Sequence, residues 1–77
     1  MTKDEMIHEI AELNLWRSGA KARIASLRKQ EEAATTPEEL AELRRERQSL
    51  ENKNDAFAME IKDLQAKLKK LPLWKSH

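Results

Sequence analysis

Apolar residues recur along the second half of the chain in steps of three and four. The stripe runs Leu40, Leu43, Arg47, Leu50, Asn54, Phe57, Ile61, Leu64, Leu68 and Leu71, and only Arg47 and Asn54 interrupt its apolar character. A spacing that averages about 3.5 residues keeps one narrow seam of a helix turned toward a partner helix. The first half carries a matching stripe of Met6, Ile10, Leu13, Arg17, Ala20, Ile24 and Leu27. Two helices, each with one seam, are the elements this pattern predicts.

Punctuation in the chain sets their ends. Thr2-Lys3-Asp4-Glu5 has the form of a capping box, and Met1 and Met6 flank it at the positions of a hydrophobic staple. Thr36-Pro37-Glu38-Glu39 repeats the box, with Pro at the first helical position, where a missing N–H costs nothing. The residue before a proline is pushed out of the α region, so Thr36 breaks the preceding helix. Pro72 closes the second helix after lysines that suit the negative end of its dipole. The prediction is helix 1 over about 3–34, a loop at about 35–36, helix 2 over about 37–71 and a tail at 72–77. Each helix is then about 50 Å long. A short loop between matched helices makes them antiparallel neighbours, an all-α helical hairpin.

Folding the hairpin about Thr35 brings Leu27 near Leu43, Ala20 near Leu50, Leu13 near Phe57 and Met6 near Leu64. The two polar exceptions, Arg17 and Asn54, arrive at one height. A polar layer in an apolar seam lowers stability and specifies register, so Asn54→Leu is expected to raise thermal stability and loosen the register. Helix 1 has a second row, Ala11, Leu15, Ser18, Ala22 and Ala25, on the side away from the seam. It reads either as an exposed face of good helix formers or as a second packing face, a possible dimer face, with Leu15 and neighbouring Trp16 favouring the latter. Gly19 inside helix 1 costs about 1 kcal/mol relative to Ala. It reads as a tolerated exposed residue, with a kink or the close approach of another helix as the alternatives.

Composition narrows the class. The 77 residues hold no Cys, which leaves no disulfide or thiolate metal site to support a small core. Chains this small then gain support by association, so a homodimer forming a four-helix bundle, or docking on another protein, is expected. Lys and Arg number 15 against 14 Asp and Glu, a balance that disfavours a dedicated polyanion binder. No apolar run reaches the roughly 20 residues of a membrane span, and the first residues are unlike a signal peptide, so a cytoplasmic protein is expected. Met1 and its cap suggest a complete chain rather than an arm of a larger one.

The chemistry-bearing residues are sparse. Glu5-Met6-Ile7-His8 has the Glu-x-x-His spacing of di-iron bundles, but the other histidine, His77, ends the tail. His8-Glu9-Ile10-Ala11-Glu12 stops short of a zinc-protease helix, because its last residue is Glu. Ser18, Ser26, Ser49 and Ser76 lack a His and carboxylate constellation. No metal, cofactor or enzymatic activity is expected. Arg44, Arg45 and Arg47 share a turn, and Lys21, Arg23, Arg28 and Lys29 make a basic half of helix 1. With many Glu around them, a solvated face with intrahelical pairs is the simplest account. In outline, two hairpins of this size resemble the Rop-type RNA-binding bundle, a likeness of architecture that carries no residue across.

The segment 68–77 is basic and ends with Leu73 and Trp74 beyond Pro72. These two either fold back over the bundle end or form a short docking peptide. The sequence therefore reads as a small protein–protein interaction module of adaptor, inhibitor or co-chaperone type. The candidate contact residues are Leu15, Trp16, Leu73 and Trp74, followed by Arg44 and Arg45. A Rop-like binder of RNA or DNA is the first alternative, and a purely structural coiled-coil element the second.

Overall fold

A computed structural model describes residues 2–71. Within them lie two helices, α1 (Lys3–Ala33) and α2 (Pro37–Lys69), packed against each other along their length. Their joint shape is a rod of 61 × 14 × 14 Å with a radius of gyration of 17.7 Å. A globule of this chain length has a radius near 11 Å. So thin a body has no central core, only a seam.

Both expected caps form. Thr2 and Thr36 are extended, and their hydroxyls accept from the backbone N–H groups of Glu5 and Glu39, each at 3.2 Å. The returning contact differs from the simple box at each site. Glu5 accepts from the Thr2 hydroxyl (3.0 Å), whereas Glu39 accepts from the backbone N–H of Thr35 (3.5 Å). Met1, half of the expected staple, lies outside the described residues, as does the tail 72–77. α1 ends at Ala33, one residue before the expected boundary, because Ala34 is already extended. α2 ends at Lys69, two residues early. Leu71 donates to the Leu68 carbonyl (3.2 Å), a tighter i to i−3 turn that finishes the helix. α1 runs without interruption through Gly19, which has no positive φ.

The antiparallel register is the one the two stripes imply. Arg17 Nε donates to Asn54 Oδ1 at 3.0 Å, so the polar exceptions meet. Met6, Leu13, Ile61 and Leu64 form one buried cluster, with Ile10, Phe57 and Leu68 packed on it. Ala20 and Leu50 border the same groove.

The seam is uneven in two ways. α1 contributes five buried residues, Met6, Leu13, Ala20, Ile24 and Leu27, whereas α2 contributes only Ile61 and Leu64. Leu40, Leu43, Leu50 and Phe57 of α2 are half-buried. The apolar cluster occupies the half of the rod where α1 begins and α2 finishes. Toward the loop, Leu27 is fully buried, but α2 offers Arg47 where the stripe calls for an apolar residue. Charged side chains complete that half.

Candidate interaction surfaces

The charged residues of the loop half form an interhelical network. Arg47, turned into the seam, donates from Nε and Nη2 to both oxygens of Glu31, and from Nη1 to Glu51 (3.0 Å). Arg44 reaches Glu31 from the other side (3.6 Å), Arg28 reaches Glu51 (3.2 Å) and Arg23 reaches Glu46 (2.8 Å). Four of the six ion pairs among the described residues join α1 to α2. Only His8–Glu12 and Arg47–Glu51 lie within one helix. The expectation of a face held by intrahelical pairs is thus corrected. At this register the seam brings the flanks of the helices within reach of each other, and long Arg and Glu side chains close over it.

The network sets the ionisation of its members. Hydrogen bonds from Arg47 hold the Glu31 carboxyl below the usual carboxylate range. Those from Arg47 and Arg28 do the same for Glu51. Arg47 is in turn raised by its hydrogen bonds to Glu31 and Glu51.

The other sequence-predicted residues divide by face. Leu15 is 75% exposed, the most exposed large apolar side chain described. Ala11, Ser18, Ala22 and Ala25 of the same row are also exposed. Ile7, one turn before Ala11 and 49% exposed, extends the row toward the N-terminus. Its signal was its step of four before Ala11. Trp16 does not join this face. It is half-buried, with its ring edge-on to Phe57 at a centroid distance of 4.5 Å and an interplanar angle of 73°. Successive helix residues point about 100° apart, so the neighbour of outward Leu15 lands on the flank of the seam. Arg44 is held by Glu31, and exposed Arg45 borders a groove with Glu42, Glu46, Ser49 and Leu50. Leu73 and Trp74 lie outside the described residues.

The outer faces of the two helices differ. α1 has apolar residues on two roughly opposite sides, whereas α2 keeps its apolar residues largely on the seam side. On the outer side of α2, Met59, 69% exposed, stands among Asn52, Asp55, Lys62 and Asp63. The described residues include no helix long and apolar enough to cross a membrane. Comparison with protein-family models, curated proteins and solved structures finds no match.

Proposed function

We propose that this chain is a small non-enzymatic interaction module that binds another helix through the outer face of α1. The observation carrying this reading is the exposure of Leu15 and Ile7 along a row of small residues, opposite a seam whose α1 side is already buried. A helix with an apolar row on each side supports packing against two neighbours, and α2 supplies one. The small residues lower the steric barrier to a second helix, and Leu15 supplies an anchor.

The Rop-like reading draws less support. Arg23, Arg28, Arg44 and Arg47 are bound to glutamates of the hairpin itself, so neutralising phosphates would break contacts that join the helices. Nucleic-acid binding of that kind is strongest at low salt. Retention of labelled RNA or duplex DNA at about 50 mM salt would restore this alternative.

Affinity capture from the native host tests the interaction reading, using the parent chain and Leu15→Glu side by side. The expected result is a specific protein retained by the parent and lost from Leu15→Glu, with identical helical content and melting of the two baits. Equal capture by both removes the α1 face from the account.

A further inference from the structure

We infer that the outer face of α1 pairs with the same face of a second copy, in antiparallel two-fold fashion about Ser18. This rests on the reading above that the face is a contact surface, and it commits that surface to one occupant. Charge along α1 favours this occupant. Residues 3–15 of α1 hold four acids and one base, residues 16–30 hold five bases and no acid, and Glu31 and Glu32 follow before the helix ends. The helix dipole does not account for this. Its influence fades within a turn, yet Glu9 and Glu12 lie beyond the first turn, and the last turn of α1 carries no base.

Antiparallel pairing about Ser18 sets the acidic first half of each helix beside the basic stretch of the other, except at the ends, where Asp4 and Glu5 come level with Glu32 and Glu31. It places Lys3 near Glu32 of the second copy and Asp4 within about a turn of its Lys29, though level with that Glu32. It also brings Glu12, which holds His8, beside an Arg23 that keeps its own pair with Glu46. Ala11 then faces Ala25, and Leu15 faces Ala22, so large meets small along the row. Parallel pairing would set acidic half beside acidic half and basic half beside basic half, and like charges so placed select against it.

Gly19 supplies an independent observation. A Cβ at this position would meet nothing within 4 Å, so the hairpin does not require the glycine. It lies at the centre of the proposed contact, on the edge of the row beside Leu15 and Ala22, where a missing side chain lets a second backbone come close. The outer face lies roughly opposite the seam. The two hairpins therefore form one layer, with the α1 helices inside and the α2 helices outside. This differs from the closed four-helix bundle expected from sequence.

The absence of cysteine makes the geometry directly testable with single-cysteine variants. A disulfide requires Cα atoms about 4.4–6.8 Å apart. Under mild oxidation Ser18→Cys is expected to link to itself. Ala11→Cys and Ala25→Cys are expected to link when mixed but not alone, since each pair of like positions is then about 20 Å apart. Leu15→Glu in the Ser18→Cys background should abolish the link without changing the melt of the reduced chain at micromolar concentration. Self-linkage of Ala11→Cys at the rate of the mixed pair would overturn the antiparallel assignment. A parent chain of single-copy mass at millimolar concentration would overturn self-pairing. If Leu15→Glu still abolished capture of a host protein in that case, the interaction reading would stand without its self-partner. If it changed neither measurement, both would fail.

Discussion

Arg17 and Asn54 show how a polar pair behaves inside a seam. Sequence alone suggests that Asn54→Leu stabilises the hairpin by replacing a polar residue with an apolar one. The hydrogen bond changes that expectation, because Asn54 accepts from a guanidinium. A hydrogen bond to a charged group contributes about 1.5–3 kcal/mol, and burial of a leucine contributes a similar amount. Asn54→Leu alone is thus expected to leave unfolding free energy within about 1 kcal/mol of the parent, whereas Arg17→Leu with Asn54→Leu raises it. Urea denaturation of the two singles and the double checks this. A single as stabilised as the double would show that the bond contributes nothing. Glu31 and Glu51 make a pH prediction of opposite sign to that of a histidine switch. Their folded pKa values lie below the ordinary 4.5, so their stabilisation is complete above that value and is lost as pH falls through the lowered values. The melting temperature should fall on acidification below about pH 4.5. In Glu31→Gln that acid limb should be shallower, and circular dichroism melts across pH 2–7 measure the difference.

At the level of elements, α1 and α2 share a seam but not a surface. Leu27→Ala removes the most buried side chain and is expected to cost about 2–5 kcal/mol, whereas Leu15→Ala on the outer face should change stability by less than about 0.5 kcal/mol in dilute solution. Gly19→Ala is expected to stabilise α1 by about 1 kcal/mol at the same dilution, since the added methyl meets open space. Thermal melts of the three variants at micromolar concentration test the contrast, and a destabilising Gly19→Ala there would mean that the helix is distorted at this point. The elements themselves were legible because spacing and capping are local. Thr36 before Pro37 leaves the chain little choice of where to turn, and stripes repeating in threes and fours expose their register. The ion pairs were not legible in the same way. Whether Arg28 reaches Glu51 on the other helix or a glutamate on its own depends on how the helices are rotated about their axes. The same rotation sets Trp16, a contact candidate in the sequence: the row beside it was visible, but the turn of its ring onto Phe57 was not.

The whole molecule is a rod with two unlike halves. An apolar cluster around Met6, Leu13, Ile61 and Leu64 holds the end where α1 begins and α2 finishes. An Arg47-centred network closes the loop end. Neither half buries the outer row of α1, and the charge reversal along that helix complements its own antiparallel copy. In the proposed pair this row joins two copies. Sedimentation equilibrium of the parent and of Leu15→Glu, from micromolar to millimolar concentration, tests it most directly. The parent's mass should rise from the single-chain 9.0 kDa toward twice that value, and Leu15→Glu should remain at the single-chain mass, with a melt that matches the parent's at micromolar concentration. A parent that stays at one copy throughout, or a variant that associates as the parent does, would contradict the account.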